Sequence, residues 1–438
     1  MPNQQNMQEE VDTLAAESES PLRDVSIEES AEDLKELPEE ETLAEELTSE
    51  QMEEADLQED AAEILWEPPV KRRRFRHIVI FTVSILLTVA ALFVLAMKLS
   101  APEHGSQEET RRREFLEGEI VDTSRAEYGY EEMKSDLFAL QAAYPDLLRV
   151  SSAGKSLDGR ELYYADFGVQ DAEKQIFISA GIHGREYLTP LLLMKMTEYY
   201  LVNYNTEDET GVAFADLAGD YRIRIIPMVN PDGIMISQQG LSAVKSESLK
   251  EQIRLVYESD CSKYESYRRY GSLEEYLKHW KANAAGVDLN RNFPIEYWGE
   301  MRTGVGQPSS QAYKGKSAGS EPETQAVISL VRELSNPVCV ISIHSQGEIL
   351  YWNCGQSGEL LARNERLKEV LVGLTGYRSQ SSFESPDATL DDWAALERGI
   401  PSVTIETGTG SCPLPIEQFA AIWEQTRNLW RCLVTYES

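Results

Sequence analysis

His183 and Glu186 stand three residues apart just past the apolar run 176–182, and His344 ends a second apolar run, 338–343. A histidine and a glutamate at that spacing can turn to one point. A third ligand from a neighbouring strand completes three protein ligands with an open position for water, which is how catalytic zinc is held. Taken alone, His-x-x-Glu is a weak signal in so acidic a chain, and a strand-end histidine is more often satisfied by a local hydrogen bond. Two further stretches add to it. Residues 286–293, Gly-Val-Asp-Leu-Asn-Arg-Asn-Phe, offer Asn290 and Arg291 on a loop, a pair suited to gripping a carboxylate through bidentate hydrogen bonds. Residues 403–406, Val-Thr-Ile-Glu, put a carboxylate at the end of a β-branched strand. An ionised Glu406 is costly if buried unpaired, so a polar cleft is expected around it.

These residues need a scaffold that gathers strand ends. From residue 127 onward the hydrophobic pattern switches between period 3.6 and short β-branched runs. Helices are expected over 128–144, 188–202, 321–334, 360–374 and 416–433, and strands over 148–152, 162–167, 175–181, 221–227, 338–345 and 402–406. Runs such as Ile176-Phe177-Ile178 and Val338-Cys339-Val340-Ile341 do not alternate with polar residues, so both faces of those strands are covered. The reading is an α/β domain with a mixed, largely parallel twisted sheet flanked by helices, and polar groups collected at strand ends. Residues 127–438 fit one large domain, with no internal repeat.

The rest of the chain differs in kind. Residues 1–70 hold 24 Asp/Glu against 2 Lys/Arg, within a net charge of −34 for the whole chain. Such acidity rules against nucleic acid as the main partner, since phosphate binding needs a basic face. The only dense basic run, Lys71-Arg72-Arg73-Arg74-Phe75-Arg76, stands just before residues 78–97, which contain no charge, His, Asn, Gln, Pro or Gly. At about 1.5 Å per residue those twenty residues span about 30 Å, the thickness of a bilayer's hydrocarbon. The expectation is one transmembrane helix, with the acidic tail 1–77 disordered and cytoplasmic by the positive-inside rule. Residues 98–126 then form a polar stalk and 127–438 the external domain. The tail reads as a solvated spacer, with a docking tail that forms a transient helix face from Leu34, Leu37, Leu43 and Leu47 as the alternative. The stalk is too short to be an inhibitory domain with its own core. All five cysteines (261, 339, 354, 412 and 432) fall outside, where disulfides are permitted. An odd count leaves at least one unpaired, and Cys339 reads as a small core residue.

The stretch 128–433 resembles the zinc metallocarboxypeptidase family of carboxypeptidase A type. The matching pieces keep the family's order: Tyr-Gly-Tyr-Glu-Glu-Met at 128–133, Gly154-Lys155-Ser156 with Gly159-Arg160, Gly181–Glu186, Val-Asn-Pro-Asp-Gly at 229–233, 287–293, Ser342-Ile343-His344-Ser345 and Thr404-Ile405-Glu406. The resemblance implies one Zn2+ in the domain, held by His183, Glu186 and His344, with Glu406 as the general base that takes a proton from water on the metal. It also makes Asp288 the acid that fixes the first histidine's tautomer, and Asn290 and Arg291 the grip on a peptide's terminal carboxylate. Arg185 matches a residue of the substrate groove, with a surface salt bridge as the alternative.

The chain also departs from the family. Trp280-Lys281-Ala282-Asn283 stands where a carbonyl-polarising arginine is expected, so Lys281 would supply positive charge without the guanidinium fork. This form is similar to the bacterial branch that includes γ-D-glutamyl-diamino acid peptidases. Glu384 stands where digestive members carry a mobile tyrosine. Asp391 matches the pocket-floor position, where an acid favours a basic side chain or the free amine of a diamino acid; an exposed aspartate at a helix start is the alternative. Residues 237–278 are either a wall over the groove or a surface excursion. The expectation is a membrane-anchored zinc metallocarboxypeptidase acting on peptide substrates, cell-wall peptides among them. A catalytically silent protein of the same fold that holds peptide ends at the membrane is the alternative.

Overall fold

The computed structural model describes residues 120–301, 305–381 and 387–436. The stretch 78–97 expected to cross a membrane, the acidic tail, most of the expected stalk and Glu384 lie outside these residues. Among the described residues no helix is long and apolar enough to cross a membrane.

Helix α1 (Tyr130–Ala143) leads into strands β1 (Leu148–Lys155), β2 (Glu161–Gly168) and β3 (Lys174–Ala180), then α2 (Leu188–Val202) and β4 (Tyr221–Ile226). Helices α3 (Pro231–Gln239), α4 (Glu247–Lys263) and α5 (Leu273–Lys278) follow, then α6 (Pro322–Arg332), β5 (Pro337–His344), β6 (Ile349–Asn353), α7 (Gly358–Thr375) and β7 (Arg378–Ser381). The domain closes with α8 (Leu390–Leu396), β8 (Ser402–Glu406), α9 (Phe419–Thr426) and α10 (Leu429–Thr435). The eight strands form one sheet in the order β1-β2-β4-β3-β5-β8-β6-β7. Its centre, β4-β3-β5-β8, is parallel, and antiparallel pairs lie towards the edges.

The covered strands alternate between two cores. Ile176, Ile178 and Ala180 of β3, with Cys339, Ile341 and Ile343 of β5, face a core shared with α1, α2, α9 and α10. Phe177 and Val340 face the opposite core, built with α6 and α8. Burial on both faces is what the non-alternating runs demand. Beside the sheet, Asp166 of β2 and Arg224 of β4 are register partners, and the guanidinium forks the carboxylate with Nε–Oδ1 2.7 Å and Nη2–Oδ2 2.9 Å. Both side chains are nearly buried. Losing Arg224 would leave the buried Asp166 carboxylate without its cation, whereas Arg224 itself also pairs with Glu333 at 2.8 Å, so the register is favoured chiefly by the need of Asp166.

Three expectations change. The single closing helix is two, broken at Arg427–Asn428. Strand β7 reads Arg-Ser-Gln-Ser with every side chain exposed, an edge strand with no apolar pattern to announce it. Packing also starts before residue 127: the Ile120 and Val121 amides donate to buried Glu198, whose other oxygen accepts from Lys195 at 2.8 Å. No disulfide joins the five cysteines, and Cys339 sits in the core.

Residues 237–278 are a small helical unit with its own core around Trp280, joined by Ile236, Ile253, Val256, Tyr276 and Leu277. Asp260 on α4 accepts from the Tyr276 hydroxyl (2.6 Å), the Ser309 hydroxyl (2.8 Å) and the Ser310 amide (3.1 Å). Ser310 in turn accepts the amides of Lys281 and Ala282 through its carbonyl. The excursion is therefore a buttress for the backbone at Lys281.

Candidate active site and metal centre

The site forms where the parallel strands end. Beyond β3 the chain turns at Gly181, whose φ of +63° suits glycine and where a Cβ would lie 2.8 Å from Pro190 Cγ. The next residues bring His183 and Glu186 over the sheet's end. Asn230 joins this turn to two other segments: its Nδ2 donates to the carbonyls of Ile182 (3.1 Å) and Ala282 (3.0 Å), and its Oδ1 accepts from the Gly233 amide. Gly184 packs into the same junction, its amide donating to the Lys281 carbonyl at 3.0 Å. A Cβ on it would collide with the Gly233 carbonyl and sit 2.7 Å from the Trp280 oxygen. Gly184→Ala should therefore cost about 3 kcal/mol or more, a fall in Tm of roughly 6 °C or more by thermal unfolding. An unchanged Tm would show that the junction gives way.

His183, Glu186 and His344 are all buried, and their ligand atoms lie within 4.8 Å of one another. His183 Nδ1 is 2.8 Å from Glu186 Oε1, and His344 Nδ1 is 3.1 Å from both Glu186 Oε2 and His183 Nδ1. Asp288 Oδ1 lies 3.2 Å from His183 Nε2. A proton on that nitrogen, donated to the carboxylate, leaves Nδ1 with its lone pair aimed at the cluster. Two imidazole nitrogens 3.1 Å apart repel unless a cation or proton lies between them. Two nitrogens and a carboxylate suit zinc, so the residues fit that ion. Burial opposes ionisation of Glu186, but the two histidines outweigh it and hold the carboxyl well below its ordinary value. At Asp288 burial is likewise overcome, by Lys281 and His183.

Glu406 ends β8 directly beside His344, its register partner on β5. Burial raises its carboxyl to about 7, against the pull of His344. It opens into a cavity of about 490 Å³ that is also lined by His183, Lys281, Asn290, Arg291 and Asp391. Lys281 Nζ is 3.5 Å from Asp288 Oδ2. Asn290 spends its side-chain oxygen on the Leu390 amide, which leaves Nδ2 for a ligand. Asp391 is in the first turn of α8, as the alternative reading had it, but it is buried rather than exposed and accepts a 2.7 Å hydrogen bond from Thr404 Oγ1.

Arg185 does not line this cavity. No salt bridge to it exists among the described residues, its Nε is buried without a partner, and it lies close enough to Cys412 for its charge to act on the thiol. The cavity also holds groups that the sequence reading passed over: Tyr351 on β6, Asp387, and Asp392, whose carboxyl burial lifts to about 6. The only sequence signal was for Asp392, three residues after Thr389, with which it forms a capping box.

The family model for zinc carboxypeptidases matches residues 133–429. The gamma-D-glutamyl-L-diamino acid endopeptidase 1 of Lysinibacillus sphaericus is 27% identical over 304 residues, covering 69% of this chain and 71% of that protein. Carboxypeptidase B of Astacus astacus is 26% identical over 317 residues, 68% of this chain and 93% of its own length. Among solved structures, the carboxypeptidase A from Helicoverpa armigera superposes with a TM-score of 0.52 at 18% identity, covering 79% of this chain and 86% of that one, a likeness of fold. The catalytic zinc of these enzymes has its counterpart here in the cluster of His183, Glu186 and His344. With that cluster on such a sheet and a family match over most of its length, this chain belongs to the zinc carboxypeptidases.

Proposed function

We propose that the protein is a membrane-anchored zinc metallopeptidase that hydrolyses peptides outside the cytoplasmic membrane, its preferred substrates being cell-wall peptides with a γ-D-glutamyl-diamino acid bond. The observation that carries this reading is a second carboxylate, Glu406, beside the three-residue cluster and in one cavity with Lys281, Asn290 and Arg291. Zinc, when bound, makes water a nucleophile at neutral pH and polarises the scissile carbonyl. Glu406 takes the proton of the attacking water and delivers it to the leaving amine, a task suited to a carboxylate that lies beside the cluster without belonging to it. Lys281 Nζ provides positive charge where the carbonyl oxygen becomes an oxyanion, and Asp288 keeps His183 in its ligating tautomer. Asn290 Nδ2 and the Arg291 guanidinium hold the terminal carboxylate of the leaving residue.

Asp391 gives the side-chain end of the cavity an acid for a free amine. Thr404 Oγ1 occupies one of its oxygens. The lysine form at Trp280-Lys281-Ala282-Asn283 and the γ-D-glutamyl-L-diamino acid specificity for which the Lysinibacillus relative is named both favour a diamino acid at that end. Residues 78–97 anchor the chain, the basic run 71–76 keeps the acidic tail in the cytoplasm, and the catalytic domain faces outward.

The test uses the detergent-solubilised full chain loaded with zinc, given an L-alanyl-γ-D-glutamyl-diaminopimelate peptide and an ordinary α-linked peptide ending in Lys, with products read by mass spectrometry. Release of the diamino acid is the expected result. Release of terminal Lys alone would make the protein a basic-end carboxypeptidase, and no cleavage of either peptide with one zinc bound would sink the reading.

A further inference from the structure

Arg291 already has a carboxylate. Its Nη2 is 3.0 Å from Asp387 Oδ2, and its Nη1 donates to the Asn290 carbonyl at 2.7 Å. The arginine is mostly enclosed, with its side chain 21% exposed, whereas Asp387 is 49% exposed, and both line the cavity that holds Glu406. The backbone at Asp387 is pinned, because its amide donates to Asp392 Oδ2 at 2.8 Å, and Asp392 is itself fixed by its capping box with Thr389. Only the side chain beyond that pinned backbone is left to rotate. A half-exposed ion pair of this kind is weak, while an incoming carboxylate that takes both guanidinium nitrogens forms the stronger, forked arrangement.

We infer that Asp387 is a built-in competitor for the terminal carboxylate of the substrate. It occupies Arg291 when the site is empty and swings into solvent when a free carboxylate arrives, so it sets the affinity of the site for anionic ends. This rests on the reading of Arg291 as the carboxylate grip. The competing carboxylate carries a second consequence. A ligand whose end is amidated or extended leaves the Asp387–Arg291 pair in place, so the pair narrows the difference between free and blocked ends that an unoccupied arginine would impose.

The experiment measures dissociation constants by calorimetry on the zinc-loaded full chain carrying Glu406→Gln, so that no turnover intervenes. The probes are the wall peptide above with its terminal carboxyl free and the same peptide as its amide. Asp387→Asn should tighten binding of the free acid by about 3- to 10-fold and leave the amide within about 2-fold. Asp387→Ser serves as a second variant should the asparagine disturb folding, which thermal unfolding reports. The same pair of ligands is then compared in an Arg291→Ala background, where Asp387→Asn should change nothing. A gain that persists without Arg291 would mean general relief of negative charge and would overturn the inference. If Arg291→Ala abolishes the preference for the free acid but Asp387→Asn has no effect, the inference alone fails. If Arg291→Ala leaves that preference untouched, the reading of Arg291 itself fails.

Discussion

Glu406→Gln in the zinc-loaded full chain should lower kcat/KM for the cleaved peptide by about 10³-fold or more with the zinc content unchanged at one per chain. The substitution keeps the shape of the side chain and the pairing of β8 with β5 and β6, in which Glu406 lies opposite His344 and Ile349. Only the capacity to take and give a proton is lost. Because Glu406 is outside the cluster of His183, Glu186 and His344, the metal has no reason to leave with it. A loss in KM alone would mean that Glu406 binds substrate rather than serving as the base. Activity within about 10-fold of wild type would move the role to another group in the cavity.

His344→Ala should abolish activity by a different route. Substitutions at groups that merely orient a ligand cost about 10- to 100-fold in metal affinity, so loss of the ligand itself should exceed about 100-fold. His344 and Glu186 come from different strand ends and approach to 3.1 Å, and the remaining pair cannot complete a three-ligand site. Zinc measured after dialysis should fall from one per chain to near zero. Wild-type protein stripped with a chelator should regain activity when zinc is returned, whereas the variant should not. Retention of a full equivalent of zinc by His344→Ala would place the metal elsewhere.

Much of this was legible because the chemistry sits where hydrophobic pattern ends. His344 and Glu406 each end an apolar strand, and His183 follows another within a few residues, so the pattern pointed to polar groups collected at strand ends, and the ordered motifs of the family resemblance joined them into one site. The centre of the sheet was readable for the same reason. Asp387 and Tyr351 were not. Asp387 belongs to a polar stretch without periodicity, and Tyr351 lies on a five-residue strand whose partner, β7, has no apolar side chain. Asp260 shows a second limit. Its hold on Ser309 and Ser310, and through them on Lys281, joins residues about fifty positions apart by hydrogen bonds that no local pattern announces. The Asp166–Arg224 pair likewise required the strand register, and the burial of Asp391 required the contact with Thr404. Pattern finds elements and their ends; partners across the fold depend on how those elements pack.

The most direct test of the central claim is an anomalous-difference map at the zinc edge from crystals of the zinc-loaded protein. The expected result is a single strong peak at bonding distance, about 2.0–2.2 Å, from His183 Nδ1, His344 Nδ1 and a carboxylate oxygen of Glu186, with Glu406 beside it but not bound. A peak on any other group of residues, or none at this cluster in protein that cleaves peptide, would contradict the account.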